Sequence, residues 1–562
     1  MKARTSQVYD AIVVGTGITG GWAAKELCEA GLNTLVLEAG PMIVPERDYV
    51  EHVPPFEQPF RGLRDRRRQS DRQAIQKECY ACDESAEKFF VDDIENPYVQ
   101  ADGKPFVWIR GRQVGGKSIM WARQSYRLSD VDFGAAERDG FGIDWPLRYA
   151  DLAPWYDHVE RFAGISGQSE GLRQLPDSRF LPAMALNCVE EHARGAIGAA
   201  WGGKRVLTPG RTAVLTEDHN GRAACHYCGP CHRGCITNSY FSSLSATLPA
   251  AVATGNMTLR PNSVVRHVTY ANGKASGVLI IDRESGESIE FKGRVIVLAA
   301  ATLESTRILL NSANSTFPDG LANSSGALGR YLMDHTMSVG ASGTLDGWPD
   351  RDTTGHRPNG VYIARFRNVD DQHPDFLRGY GYQGSASRPG WNRGVSEAGF
   401  GADFKRSMSR PGPWRMNIGA WGECLPYHDN YVEIDPDAVD AWGIPVLRIH
   451  MHWRENEITM QHDAAEQAAE MLEVAGVKDI VMNAVGTPPG LCIHEMGTAR
   501  MGRNPQTSVL NGHNQCHDVE NLFVVDGAAM TSSACQNPSL TYMALTARAC
   551  SHIVERLKRF EL

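Results

Sequence analysis

The sequence predicts an α/β protein in which a parallel sheet is interrupted by a second, α+β unit. Three observations carry that prediction. A short β-branched run, Tyr9–Val14, leads into Gly15-Thr-Gly17-Ile-Thr-Gly20, a helix-like stretch over 21–30 and a second apolar run, Asn33–Leu37. A second glycine-rich loop, Arg110-Gly-Arg-Gln-Val-Gly-Gly-Lys-Ser118-Ile-Met-Trp121, follows far downstream. Val295–Leu310 then reads as a buried strand, a small-residue turn and a helix returning to the same sheet.

Each element has a physical reason. The first glycines allow a tight turn and close backbone approach, and the helix N-terminus that follows suits a pyrophosphate. Glu38 falls 18 residues after Gly20, where an acidic side chain bonds a ribose hydroxyl. This fingerprint alone fits NAD or FAD. The second glycine loop can cradle another part of an extended cofactor, which points to FAD. Alternating segments between Asn256 and Gly293 suggest a strand meander in the same unit. In the middle of the chain, Tyr431–Ile434 and Val446–His450 read as strands and Asn456–Ala475 as an amphipathic helix. The expected division is a nucleotide unit over 1–335 and 485–562, with an insertion at 46–100 and a cysteine-rich loop at 222–238. A substrate unit occupies 336–484.

Composition excludes several function classes. The chain has 562 residues, 42% of them hydrophobic, enough for large cores. Its net charge of −9 argues against nucleic acid or an anionic membrane surface as partner. The basic stretch Arg61–Arg68 is an exception, read as a solvated face. No apolar run approaches about 18 residues, so no transmembrane span is expected. The N-terminal residues lack the apolar region of a signal peptide, so no export signal of the chain's own is expected. Thirteen cysteines, an odd number, fit thiols kept reduced for metal or core use.

Two C-terminal segments hold the residues suited to chemistry. The first is Gly490-Leu-Cys-Ile-His494-Glu-Met-Gly-Thr-Ala-Arg-Met-Gly502. The second runs from Asn521-Leu-Phe-Val-Val-Asp526-Gly527 to Ser533-Ala-Cys-Gln-Asn537-Pro-Ser. Oxidising an alcohol needs a base for the hydroxyl proton, and histidine titrates near working pH. A second polar group must hold the same oxygen in line. A lone histidine near a strand end is more often a core or capping residue, and Asn537 before Pro538 also suits a turn.

With Leu35-Val-Leu-Glu-Ala-Gly40, Gly111-Arg-x-x-Gly-Gly-x-Ser118 and Leu328-Gly-Arg-Tyr-Leu-Met-Asp-His335, these segments resemble the glucose–methanol–choline (GMC) oxidoreductases. The resemblance implies a GMC-type, Rossmann-like FAD-binding domain with an interleaved α+β substrate domain. It implies His494 as base and Asn537 as its partner. FAD would be held by Gly15, Gly17, Gly20, Glu38, Gly115, Gly116 and Ser118, with Asp526 and Gly527 beside the ribityl chain and ring. Met120 stands where some relatives carry a flavin-linking histidine, which implies non-covalent FAD.

Cys225-His-Tyr-Cys228-Gly-Pro-Cys231-His-Arg-Gly-Cys235 remains. Such spacing permits a zinc site, unliganded thiols or an iron–sulfur cluster. A flavin that must be reoxidised favours the cluster. The run resembles that of iron–sulfur-containing FAD sugar dehydrogenases within the family, such as glycoside 3-dehydrogenases. That likeness implies a 3Fe-4S cluster on Cys225, Cys231 and Cys235, with Cys228 spare. Cys228 as a fourth ligand would make it 4Fe-4S. Cys79 and Cys82 read as plain loop cysteines, His226 and His232 as exposed filler. Trp414, Trp421 and Trp453 read as packing more than as a sugar platform. The activity implied is oxidation of a sugar or glycoside hydroxyl, C3 favoured, with electrons leaving through the cluster to an external acceptor. The alternative is an oxygen-using oxidase without a redox cluster. The resemblance also implies a small export-chaperone subunit and a cytochrome-type acceptor. Localisation would be periplasmic by co-export, or else cytoplasmic.

Overall fold

The computed structural model describes residues 3–50, 52–58, 65–353 and 355–562. Its first sheet runs, in space, Met257–Arg260, Thr34–Leu37, Ala3–Val14, Ser288–Leu298, Lys274–Asp282, Ser263–Ala271. The first four are parallel, and Leu522–Val524 joins Ser288–Leu298 in parallel at Ile296–Leu298. The other two strands form the antiparallel meander that the alternating segments predicted. Side chains of the central strands go to opposite cores: Ile12 and Val14 to one, Ala11 and Val13 to the other. Burial on both faces explains why these strands read as continuous apolar runs. Helices Ile18–Glu29 and Ser539–Lys558 close one face through Ala23, Leu27, Cys550 and Ile553.

The second sheet is antiparallel, ordered Lys478–Asn483, Thr336–Leu345, Trp414–Gly422, Tyr380–Ser387, Val361–Ile363, Leu207–Pro209. Helix Glu455–Val474 covers it with Met460, Ala464, Ala468 and Met471, one face at helical spacing. This sheet draws its edge strand Leu207–Pro209 from within 1–335, and helix Cys188–Ala200 packs in the same core. A three-residue strand ending in proline gives no periodic signal, hence its absence from the sequence reading. Tyr431–Val439 and Pro445–His450 form with Val99–Gln100 a separate small sheet. Trp414 is 1% exposed and packs in the second core.

Of the basic stretch Arg61–Arg68, positions 61–64 lie outside the described residues. The remainder opens helix Arg66–Arg72, capped by Asp65, whose carboxylate accepts from the Arg68 amide at 3.1 Å. No helix among the described residues is long and apolar enough to cross a membrane.

Candidate active site

The two glycine loops and the Ser243 segment are knitted together at the C-terminal edge of the parallel strands. The Gly115 amide donates to Thr16 Oγ1 at 3.0 Å, and Ser243 Oγ donates to the Thr16 carbonyl at 2.8 Å. Ser118 Oγ donates to the Gly115 carbonyl at 2.6 Å and lies 3.0 Å from Ser243 Oγ. Gly115 and Gly116 have φ of +100° and +50°, which favours glycine. A Cβ on Gly15 would lie 2.3 Å from the Ala299 carbonyl oxygen, and one on Gly20 2.0 Å from that of Gly15. At Gly17, which caps helix Ile18–Glu29, a Cβ would meet nothing within 4 Å. Backbone is thus packed tightly behind an open helix N-terminus, the geometry an anionic cofactor segment requires.

Glu38 is buried and accepts from the Thr16 amide (3.2 Å), Thr16 Oγ1 (2.5 Å) and the Gly40 amide (3.0 Å). Burial pushes its carboxyl up against those bonds. Met120 is buried, its Cε beside Gly111. Asp526 accepts from Ser305 Oγ at 2.5 Å and the Ala528 amide at 3.0 Å, with burial raising it to about 6. A Cβ on Gly527 would meet Thr302 Oγ1 at 2.4 Å and the Glu495 carbonyl at 2.6 Å. That contact locks the Asp526–Gly527 turn to the segment carrying His494.

His494 and Asn537 are brought together, Nε2 to Nδ2 at 3.4 Å. The other nitrogen of His494 is also fixed. His494 Nδ1 lies 2.9 Å from Nδ1 of the fully buried His335, with the rings at 85°. His335 Nε2 is 2.9 Å from the Ala534 carbonyl, which can only accept. His335 therefore carries its proton on Nε2 and offers Nδ1 as acceptor. His494 must then donate from Nδ1, leaving a lone pair on Nε2 beside Asn537. Burial pulls His335 down to about 4, and burial, His335 and Lys117 hold His494 well below the usual imidazole range. Both rings stay neutral at neutral pH.

The surroundings fix this pair. Gln383 Nε2, from the second sheet, donates to Asn537 Oδ1 at 2.5 Å, so Asn537 turns its NH2 toward His494. Asp334 accepts from the Gly490 amide (2.7 Å) and the His494 amide (3.1 Å), while burial and Glu495 raise it to about 7. Ile493 has φ +65°, rare for a β-branched residue, and places His494 at the end of a strained turn. Cys492 Sγ lies 3.3 Å from His494 Nδ1. His335, Asp334, Gln383 and Cys492 were not singled out from sequence. The one signal was that Asp334-His335 closes the Leu328–His335 block.

The cysteine loop is tied to the 46–100 insertion: His232 Nε2 bonds Asp83 Oδ2 at 2.8 Å, and Arg233 reaches the same carboxylate. His232 is thus a bonded, partly buried residue and not exposed filler. Cys225, Cys231 and Cys235 are partly buried, whereas Cys228 is exposed. The Cys235 thiol lies 3.4 Å from Thr237 Oγ1 and from Ser239 Oγ. A tetrahedral zinc at about 2.3 Å would bring thiolates within about 4 Å of one another. Among the described residues, the group of three or more ligand atoms within 4.8 Å of one another is His335, Cys492 and His494, not this run. No disulfide forms among the described cysteines, and Cys79 and Cys82 are core residues.

The fold and site geometry agree with comparisons to known proteins. Two GMC oxidoreductase family profiles match residues 9–337 and 426–546. The chain is 30% identical to the 2-methyl-1,2-propanediol dehydrogenase of Mycolicibacterium austroafricanum, over 97% of this chain and 95% of that protein. It is 26% identical to the 6'''-hydroxyparomomycin C oxidase of Streptomyces lividus (98% and 92% covered). It is 27% identical to the fructose dehydrogenase large subunit of Gluconobacter japonicus (98% of each). Among solved structures, formate oxidase from Aspergillus oryzae superposes with a TM-score of 0.62 at 14% identity, each chain covered in full. The chain belongs to the GMC oxidoreductases, enzymes of CH–OH donors that include both dehydrogenases and oxidases. Membership implies FAD, and the glycine cradle around Gly17 fits it.

Proposed function

We propose that this enzyme oxidises a hydroxyl of a sugar or glycoside, at C3 in preference to C1. The observation that carries the catalytic reading is the lone pair of His494 Nε2, fixed through His335 and set 3.4 Å from the Asn537 amide. His494 takes the hydroxyl proton, and Asn537 Nδ2 holds the substrate oxygen in line. FAD, when bound by the residues around Gly17, Glu38, Gly115 and Asp526, supplies the acceptor for the two electrons. Sugar chemistry is supported by similarity to a fructose dehydrogenase large subunit, and C3 by similarity, over 52% of the chain, to a C-glycoside 3-oxidase.

Electrons then leave through an iron–sulfur cluster on Cys225, Cys231 and Cys235, with Cys228 outside the ligand set and 3Fe-4S as the type. The partly buried trio and the exposed Cys228 support this division. The natural acceptor would be a cytochrome-type partner, reached in the periplasm after export with a small signal-bearing subunit. A dye-linked substrate screen with product NMR tests the substrate, and iron and sulfide analysis tests the route. Rapid turnover with oxygen by an iron-free enzyme would select the second reading, an oxidase, which the similarity to the 6'''-hydroxyparomomycin C oxidase favours.

A further inference from the structure

Two buried arginines beside the cysteine loop have no acidic partner among the described residues. Arg123 is 7% exposed and Arg222 5%. The buried Arg127, Arg307 and Arg378 each pair with a buried carboxylate, Glu160, Asp440 and Glu423. Among the described residues, Arg123 and Arg222 pair with none. Tyr240, Cys231 and Tyr80 act electrostatically on Arg123, and Cys235 on Arg222, which stands three residues before Cys225. Arg222 Nη2 donates to the Ala163 carbonyl, but Arg123 Nε and Arg222 Nη1 are buried with no hydrogen-bond partner among the described residues.

One backbone frame ties Arg123 to the cysteine loop, and Arg222 sits in a turn closed by the His219 backbone just ahead of that loop. The Ala213 amide donates to the Arg123 carbonyl at 2.9 Å, Phe241 to Ala213 at 2.9 Å, Leu215 to Ser239 at 3.0 Å and Cys225 to Leu215 at 2.9 Å. The Arg123 guanidinium stacks 4.4 Å over Tyr240, and Arg222 lies 5.7 Å over Phe241. Arg123 has φ +61°, a costly conformation for a non-glycine residue, and so is held in place by its surroundings. A buried cation without a counter-ion costs several kcal/mol. Neutral thiols do not offset that cost, but thiolates around a metal–sulfur core would.

We propose that Arg123 and Arg222 are the counter-charges of an anionic iron–sulfur centre on Cys225, Cys231 and Cys235, and that they raise its reduction potential. The inference rests on the electron route proposed above. Reduction adds one negative charge to the centre, so a nearby buried cation stabilises the reduced form more than the oxidised one.

The test is an EPR-monitored potentiometric titration of the purified holoenzyme, wild type beside Arg123→Gln, Arg222→Gln and Arg123→Lys, with iron and acid-labile sulfide measured on each. The expected result is a lower midpoint potential, or partial iron loss, in the Gln variants, and near wild-type behaviour in Arg123→Lys. Retention of the flavin band shows that each variant has folded. Unmoved potentials with iron intact overturn the proposal. So does a Lys variant as impaired as Gln, because charge would then not be the cause. A wild type devoid of iron and sulfide defeats the electron route itself, and that result is separate from an iron-bearing enzyme whose potential ignores the arginines.

Discussion

His335 Nδ1 stands 2.9 Å from His494 Nδ1, and the Ala534 carbonyl on the far side of His335 decides which of the two carries the proton. The relationship makes His335 a positioning residue. Replacing it with Gln should lower kcat about 10- to 100-fold, the usual cost of losing a partner that orients a ring, while flavin content stays intact. Stopped-flow bleaching of the flavin under anaerobic substrate reads this directly. Wild-type bleaching in His335→Gln would mean that the tautomer is set elsewhere.

His494→Ala removes the base and should slow flavin reduction by about 10²- to 10⁴-fold. Asn537→Ala should slow it less and raise KM as well, because it loses a hydrogen bond to the oxygen and not the proton acceptor. Equal effects of the two variants would contradict this division of labour.

Lys117 is one of the charges that hold His494 below its usual range. Base function needs neutral His494, so activity falls only as pH drops through that lowered value. The kcat/KM profile should therefore stay flat well below pH 6.5. Lys117→Met removes a neighbouring positive charge, raises the pKa of His494, and should move the acid limb to higher pH. A limb that stays fixed, or moves down, would count against the neutral base.

Gly20→Ala would place a Cβ 2.0 Å from the Gly15 carbonyl oxygen. Backbone cannot yield there cheaply, so the variant should lose about 1–3 kcal/mol of stability and most of its bound flavin. Thermal unfolding and the visible spectrum of the purified protein measure both. Gly171→Ala, a glycine with φ +68° and open space around it, is the comparison that carries backbone strain alone.

The sequence showed most where function demands contiguous residues. Gly15, Gly17, Gly20, Glu38 and the first two strands all lie within the first 38 residues, and their turn chemistry is local. His494 and Asn537 were legible because each sits inside a compact block. Gln383 was not, since its role depends on strand register, opposite Gly419, and on a contact spanning 154 positions. His335 closes the Leu328–His335 segment, but nothing in that segment states which histidine it will face. Strand Leu207–Pro209 is too short to leave a pattern. The helix over Asn456–Ala475 is readable to within a residue at each end because its buried face is apolar from Ala464 to Leu472.

The Gln383–Asn537 hydrogen bond joins residues from separately packed cores: the amide belongs to the C-terminal segment on the parallel sheet, and its anchor to the antiparallel one. Turnover thus reports on the seam between the two halves of the molecule. Any condition that loosens their docking, such as mild denaturant or a proteolytic nick, should extinguish catalysis while each core still holds its own secondary structure.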